Sequence, residues 1–515
     1  MSRKKKNPKP RRNHLRPFII LLFLGFFAIA AFSPFGDFAD AGKSVIQNHA
    51  ADAGQQVQPA ESDLSQQSAA IVETPAASAM PVAASATLPN GSAVSGNARR
   101  VDLSGLTSAD VQTAAGILAS LPDVAVIDVG TCTLSGSELA YLQAVAPNAR
   151  FSGTFRINGQ DVSTRASSID LKGLTSDAVA DTAAALSCLR HVEYIDLGDD
   201  SSGLSWSDVG TIEAACPDAV TDYRFSFMDE QYTTADKLFN LRYKTMNDGG
   251  AAVRAILPYM NSCLYLDMDS CGVSDTDMDA IRQDFPDMKV VWRINFGSEH
   301  VYSVRTDVIK ILASKPSVGG LLSTEDVQCL KYCTDLMYLD LGHNDDIDDI
   351  SFIANFPRLE VCIIAMDFFE DLSPIAACTN LEYLEIQTTL VHDLTPLANL
   401  KNLKHLNICK LCEDSGTVID LSPLMGLDQL ERLWIGCVTK YPDGQLEELQ
   451  AALPNTLIDT EAVDPHDHQW RQISWDIENT GVIVYHPRYI RLRDQFGYTY
   501  LAYSFNYLDP YYKEV

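Results

Sequence analysis

One spacing of apolar residues recurs along the second half of the chain. Segments of the form apolar-x-x-apolar-x-apolar begin at Leu336, Leu359, Leu381, Leu403 and Leu430, at intervals of 23, 22, 22 and 27 residues. In a short strand, side chains alternate between the two faces, so the apolar positions share one face and the intervening residues share the other. A fixed period of this length predicts a solenoid in which each repeat contributes one strand to a parallel sheet.

The first half repeats with a longer period. Val101–Thr107 recurs as Ile169–Thr175, 68 residues later. Each unit corresponds to two repeats plus an extended segment, and Asn158-Gly159 in the first of these segments predicts a hairpin turn. The L-x-x-L-x-L pattern is that of a leucine-rich repeat. We therefore expect an α/β leucine-rich repeat solenoid, a horseshoe with a parallel sheet on the concave face and short helices on the convex face.

A second motif marks where those short helices begin. Asp371-Leu-Ser-Pro374, Asp393-Leu-Thr-Pro396 and Asp420-Leu-Ser-Pro423 fall at the same point of three repeats. Ser or Thr before Pro is typical of a helix N-cap with Pro in the first turn. We predict a short helix after each motif.

Composition divides the chain further. We predict a basic tip (1–16), a signal anchor or signal peptide (17–35), a disordered Ala/Ser/Pro stalk (36–98), divergent repeats in units of about 70 residues (99–321), regular 22-residue repeats (322–460) and an aromatic C-terminal cap (461–515). A cap is expected because the end of a solenoid exposes apolar surface.

The N-terminal segment predicts the localisation. Eight basic residues precede the unbroken apolar run Phe18–Phe32, which is the pattern of an export signal. Basic residues stay in the cytoplasm. We therefore expect a single-pass membrane protein with its N-terminus inside and an extracellular C-terminal domain, or a secreted protein if cleavage occurs at Ala41 or nearby. Membrane contact is expected through this segment only.

Charge, cysteines and motifs restrict the chemistry. The net charge of -29 argues against nucleic acid, which requires a basic surface. The twelve cysteines fit mostly buried thiols at repeat positions, with Cys263–Cys271 or Cys409–Cys412 as alternative bridges. No motif of a hydrolase, phosphate loop or metal site is present, so we expect no cofactor, no metal and no catalytic residue.

The repeats resemble known families. The 22-residue spacing is similar to that of internalins, which are bacterial surface proteins, and of eukaryotic phosphatase-regulatory subunits. Leu336–Asn344, the Asp-Leu-Ser-Pro series, Leu430–Gly436 and His486–Asp494 resemble exported leucine-rich repeat proteins of clostridia more closely. The resemblance implies export and the binding of a protein or peptide, and it implies no enzymatic activity.

The intervening strand positions are the candidate site. They form two rows on one sheet face: Tyr338, Val361, Tyr383, His405 and Arg432, and Asp340, Ile363, Glu385, Asn407 and Trp434. Aromatic residues and Arg among apolar ones are typical of an interface core. We predict a receptor or adhesin that binds a protein or peptide ligand there. The alternative is a protein that binds or hydrolyses cell wall and uses the repeats for targeting. Truncation of Leu384 should destabilise the fold, whereas truncation of Glu385 should be nearly neutral.

Overall fold

The computed structural model describes most of the repeat region. The described residues are 85–297, 302–314, 322–412, 416–437, 439–461, 470, 472–476, 482–485, 492, 495 and 496. The basic tip, the apolar run Phe18–Phe32 and residues 36–84 of the predicted stalk lie outside the described residues.

The prediction of a single-pass membrane protein is contradicted. In the part of the chain that the structure describes, no helix is both long and apolar enough to cross a bilayer. The longest α-helices there have ten residues, for example Gly136–Val145 and Asp275–Asp284, whereas a span needs about 20. The membrane contact expected of the N-terminal segment has no support.

Short strands follow the repeats. In chain order they are β1 (Ser85–Thr87), β2 (Ala93–Ser95), β3 (Arg100–Asp102), β4 (Val126–Thr131), β5 (Arg150–Ile157), β6 (Gln160–Ser163), β7 (Ser168–Asp170), β8 (Tyr194–Asp199), β9 (Val220–Phe227), β10 (Glu230–Thr233), β11 (Leu238–Asn240), β12 (Tyr265–Asp267), β13 (Lys289–Val291), β14 (Arg293–Phe296), β15 (Tyr302–Arg305), β16 (Lys310–Leu312), β17 (Tyr338–Asp340), β18 (Val361–Ile363), β19 (Tyr383–Glu385), β20 (His405–Asn407), β21 (Arg432–Trp434), β22 (Leu457–Asp459), β23 (Gln472–Asp476) and β24 (Val482–Tyr485).

Helical segments connect the strands. The α-helices are Val111–Ala119, Gly136–Val145, Val179–Leu186, Trp206–Ala215, Ala251–Ile256, Asp275–Asp284, Thr324–Val327 and Gln445–Ala452. The 3-10 helices are Ser108–Asp110, Ser176–Ala178, Asp200–Ser202, Leu257–Tyr259, Gln328–Tyr332, Ser351–Asn355, Ser373–Ala377, Thr395–Asn399 and Ser422–Leu424. Repeats of 22 residues have room for only one short helical turn, which explains why 3-10 helices connect the strands from β17 to β21.

The regular repeats form one seven-stranded parallel sheet, β16 to β22 in chain order. The register is that of the sequence pattern, because Leu384 pairs with Leu406 between β19 and β20. The flanking Leu381, Leu403 and Ile408 are fully buried with them. The predicted apolar core and strand register are therefore confirmed. The sheet begins at β16, before the predicted boundary at residue 322.

Two of the longer units end in a hairpin. β3, β4 and β5 pair in parallel, and β6 returns antiparallel to β5 through Asn158-Gly159, whose φ values are 46° and 74°. These are the positive φ values of a tight hairpin turn. The second unit makes the same turn with Met228 and Asp229, at φ 50° and 64°. No Asn-Gly marks that turn, so the sequence motif identified only the first.

Two local expectations need correction. Residues 85–95, placed in the predicted stalk, form a β1–β2 hairpin, and its Leu88 and Val94 join the core. The short helix Ser373–Ala377 follows its motif, but the cap acceptor is Asp371, whose Oδ1 accepts from the Ser373 N–H at 2.8 Å. The same hydrogen bond recurs in the next repeat, where Oδ1 of Asp393 accepts from the Thr395 N–H at 2.8 Å. The side chain that caps these turns is therefore an aspartate two residues before the predicted Ser or Thr.

Buried thiols fill core positions as expected from the repeat register. Cys263 and Cys271 are buried free thiols, and Cys271 Sγ donates to the Leu241 carbonyl at 2.8 Å. Burial raises the pKa of Cys271 to about 11, which keeps the thiol protonated and unreactive. Cys412 Sγ donates to the Leu390 carbonyl at 3.1 Å. Neither of the two bridges left open by the sequence is formed.

Candidate functional site

The ten predicted site residues lie together. The pairing of β17 to β21 aligns Tyr338, Val361, Tyr383, His405 and Arg432 in one row and Asp340, Ile363, Glu385, Asn407 and Trp434 in the other. We call this surface the sheet face. Nine of the ten residues are buried, and Tyr338 is partly exposed. Their role in ligand binding stays a prediction, but their burial has a clear cause.

The cause is that residues from the C-terminal part of the chain cover the sheet face. Trp470, Leu492 and Phe496 are buried in one apolar cluster with residues of β18, β19 and β21, separate from the leucine core on the other side of the sheet. The predicted C-terminal cap was expected at the end of the solenoid. These residues of it pack across the strands.

Trp470 makes two directional contacts with the sheet face. Its indole Nε1 donates to Oε1 of Glu385 at 2.9 Å. Arg432 Nη1 donates to the main-chain carbonyl of Trp470 at 3.1 Å. A buried carboxylate and a buried guanidinium would be costly without partners. Trp470 supplies a donor to the Glu385 carboxylate and an acceptor to the Arg432 guanidinium.

Aromatic rings enclose the same indole. The Trp470 ring centroid lies 5.6 Å from that of Tyr383, 5.9 Å from that of Trp434 and 6.1 Å from that of His405. The Arg432 guanidinium lies 5.6 Å from the Trp470 ring centroid. These separations fall in the range of favourable aromatic and cation–π contacts. We call Tyr383, Glu385, His405, Arg432 and Trp434 the Trp470 pocket.

A second contact lies at the other end of the sheet face. The Phe496 ring meets the Tyr338 ring edge-on, with centroids 6.3 Å apart. Gln495 Nε2 donates to the Tyr338 hydroxyl at 3.1 Å, and Lys310 Nζ donates to the Gln495 carbonyl at 2.8 Å. Tyr338 in turn donates to Glu360 at 3.1 Å. Burial and the Glu360 carboxylate raise the pKa of Tyr338, so its hydroxyl stays protonated as a donor.

Two of the ten predicted residues accept hydrogen bonds from the backbone N–H group two residues later. Oδ1 of Asp340 accepts from the Gly342 N–H at 3.1 Å, and Oδ1 of Asn407 accepts from the Cys409 N–H at 3.0 Å. The same turn recurs at Asp196, which accepts from Gly198 at 2.9 Å. This is a local side-chain turn, which Asp or Asn forms at the same point of several repeats. The strand-end Asp or Asn is therefore a feature of the repeat and needs no ligand to explain it.

The equivalent sheet surface of the first half is occupied by ion pairs. Asp269 is fully buried and accepts from Arg293 Nε and Nη2 at 2.7 and 2.8 Å. Arg305 Nη1 contacts Asp267 at 3.1 Å and Asp269 at 3.2 Å. Burial alone would raise the pKa of Asp269, but hydrogen bonds from Arg293 and Ser270 lower it to about 2. This part of the sheet satisfies its charges locally.

Sequence reasoning identified the sheet face but missed its cover. Trp470 and Phe496 stood out only as members of an aromatic tail, without any spacing that ties them to a repeat. Gln495 and Lys310 carried no signal at all. The contacts depend on separations of 85 residues between Glu385 and Trp470 and 185 between Lys310 and Gln495.

The fold is that of a leucine-rich repeat protein. Each L-x-x-L-x-L segment forms one strand, and neighbouring strands pair in parallel and in register. Among solved structures, the chain is similar to two internalins of Listeria monocytogenes and to a leucine-rich repeat protein of Leptospira interrogans. Internalin InlF is 18% identical, over 73% of this chain and 86% of that chain, with a TM-score of 0.27. Internalin C2 is 21% identical, over 46% of this chain and 87% of that chain, with a TM-score of 0.24. The Leptospira protein is 12% identical, over 71% and 96%, with a TM-score of 0.27.

No protein-family model and no curated protein matches the chain. At the TM-scores above, the likeness to solved structures carries no argument about function, which therefore depends on the site itself.

Proposed function

We propose that this leucine-rich repeat protein is a non-enzymatic binding protein whose sheet face takes a protein or peptide ligand. The receptor or adhesin role that the sequence resemblance implies is part of the same proposal. The observation that supports it is the Trp470 pocket. It combines rings, a carboxylate and a guanidinium around one side chain, as the centre of a protein interface does.

The chemistry of the pocket fits a polypeptide ligand. Glu385 accepts from an indole N–H, and Arg432 donates to a main-chain carbonyl. A main-chain carbonyl is present in every peptide, whatever its sequence, so Arg432 provides binding that any peptide can use. Glu385 and the surrounding rings add a preference for a tryptophan.

Peptide display on the full chain tests this proposal. Peptides selected on the wild-type protein should lose at least tenfold in affinity on Arg432→Ala and Tyr383→Ala. Asp428→Ala, which changes an exposed residue in the turn before β21, is the matched control and should bind as the wild type does. Selected peptides that bind all four proteins equally would exclude the sheet face as the ligand site.

A second experiment addresses the alternative of a cell-wall hydrolase. The purified chain is incubated with peptidoglycan and with peptide substrates, and soluble products are measured. We expect no release above that of a heat-inactivated sample. Turnover that survives Arg432→Ala and Tyr383→Ala would show an activity elsewhere in the chain and overturn the non-enzymatic proposal.

A further inference from the structure

We propose that the sheet face is occupied by a ligand from its own chain, and that the external ligand is a peptide with a tryptophan that takes the place of Trp470. This inference rests on the proposed function and adds the ligand class and the competitor. Its starting point is that Trp470 is 3% exposed and Glu385 0% exposed, although the two belong to different parts of the chain.

The first step is that the Trp470 pocket contacts features common to any tryptophan in a peptide. These are the ring, the indole N–H and the main-chain carbonyl of the same residue. Each of these three contacts is made by Trp470 itself. A tryptophan of another polypeptide would present the same three groups in the same geometry.

The second step is that the cover and the leucine core lie on opposite sides of the sheet. Side chains of a strand alternate, so residues such as Leu384 and Leu406 pack on the opposite side of the sheet from Glu385 and Asn407. Trp470 and Phe496 belong to the smaller cluster on the near side. When they leave, Glu385 and Arg432 regain water, which removes the penalty of burying their charges.

The third step is that the intramolecular ligand does not use every group near the pocket. Trp434 Nε1 is buried and has no acceptor among the described residues. A buried donor without an acceptor is destabilising. An external peptide that places a carbonyl against Trp434 would gain a hydrogen bond that the described residues do not make there. A peptide that also satisfies Trp434 Nε1 should therefore bind more tightly than Trp470 of the same chain and displace it.

The fourth step is the comparison with the first half of the chain. There carboxylates of the sheet surface pair with arginines of neighbouring segments, as Asp196 does with Arg224 and Asp269 with Arg293. In the second half the residue that pairs with Asn407 is Trp434; both are buried, and Trp434 lies in one cluster with Trp470, Leu492 and Phe496. The cover thus lies where the sheet face is aromatic.

The test uses a fluorescent peptide of residues 464–478, centred near Trp470, with full-length proteins. Trp470→Ala empties the pocket of its own ligand. We expect the peptide to bind Trp470→Ala at least tenfold more tightly than the wild type, by fluorescence anisotropy. The same peptide with alanine at position 470 should bind at least tenfold more weakly, and so should the wild-type peptide on a Trp470→Ala, Arg432→Ala double variant. Equal affinity for the wild type and Trp470→Ala overturns the inference.

A second measurement covers the case in which Trp470→Ala does not fold. A site for a specific protease is introduced into residues 462–469 of the otherwise wild-type chain, and the cleaved protein is immobilised through its N-terminus. The tryptophan peptide in excess should release the C-terminal fragment, and the alanine peptide should not. A fragment retained under both conditions shows a permanent structural cover and overturns the inference. A dimer by light scattering that dissociates on addition of the tryptophan peptide would place a second copy on the face and also overturn it.

These outcomes separate the inference from the proposed function. Binding of the peptide to Trp470→Ala without any ligand from display would uphold the intramolecular ligand and leave the proposed function unsupported. Displayed ligands that depend on Arg432 but bind the wild type and Trp470→Ala equally would uphold the proposed function and reject the intramolecular competitor.

Discussion

Glu385 and Trp470 share a buried hydrogen bond of 2.9 Å across 85 residues of sequence. The Glu385 carboxylate also accepts from the Tyr383 hydroxyl and, at 3.1 Å, from Gln387 Nε2. One side chain thus satisfies buried donors of its own repeat and of the C-terminal part of the chain. This gives Glu385 a structural role that its place in the repeat pattern did not indicate.

We therefore expect Glu385→Ala to destabilise the protein, contrary to the near-neutral effect expected from sequence. The Tyr383 hydroxyl and the Trp470 indole would lose their acceptor, at about 1–3 kcal/mol for a buried donor. Urea unfolding measures the change. Glu382→Ala is the control, since Glu382 forms an exposed pair with Lys404 at 2.8 Å, which contributes at most about 1 kcal/mol. Equal midpoints for the two variants would contradict the buried role of Glu385.

Leu384→Ala should lower the free energy of unfolding by about 2–5 kcal/mol, because it leaves a cavity in the leucine core. Leu384 is fully buried, whereas Leu390, only six residues later, is 39% exposed. Leu390→Ala is the matched control and should change stability much less. A loss at Leu390 as large as that at Leu384 would contradict the assignment of Leu384 to the leucine core.

Asp269→Asn should destabilise the divergent repeats by about 3 kcal/mol, as expected when one partner of a buried ion pair is removed. Arg293 would lose its buried carboxylate partner, while Arg305 would keep Asp267 and Asp307. The exposed pair of Asp161 with Arg156 provides the control, and Asp161→Asn should have little effect. Thermal unfolding followed by circular dichroism distinguishes the two.

The depressed pKa of Asp269, about 2 against an ordinary value of 3.8, gives this contribution a pH dependence. The folded state favours the ionised form, so the stabilisation is present above pH 4 and is lost as the pH falls through the folded pKa. Wild type and Asp269→Asn should therefore converge in stability between pH 4 and pH 2. Curves that stay parallel through that window would rule out the ionised Asp269.

Glu213 predicts a dependence of the opposite sign. Burial raises its pKa to about 7, only partly offset by a hydrogen bond from Asn261 Nδ2 at 3.0 Å. Because the folded state favours the protonated form, stability from this residue is present below about pH 4.5 and declines as the pH rises to about 7. Glu213→Gln should flatten that decline in urea unfolding. The exposed Glu193→Gln controls for the loss of one charge, and a decline unchanged in Glu213→Gln would refute the assignment.

The strands and their register followed from sequence because both depend on local alternation. Leu381, Leu384 and Ile386 specify which side of a strand is buried, and the 22-residue period specifies which strand lies beside it. The two rows of the sheet face follow from the same rule. Their cover could not be predicted, since Trp470 reaches Glu385 through side-chain contacts that no periodicity records. The cap at Asp371 was missed because its effect depends on a turn conformation rather than on residue type alone.

The two contact points of the C-terminal residues have a mechanical consequence for the solenoid. Arrays of repeats ordinarily fray from their ends, since each repeat touches only its neighbours. Here Trp470 joins β19 and β21, while Gln495 joins β16 and β17. Residues of the C-terminal part of the chain therefore contact strands that are several repeats apart. While these contacts are made, the regular repeats should unfold as one cooperative unit.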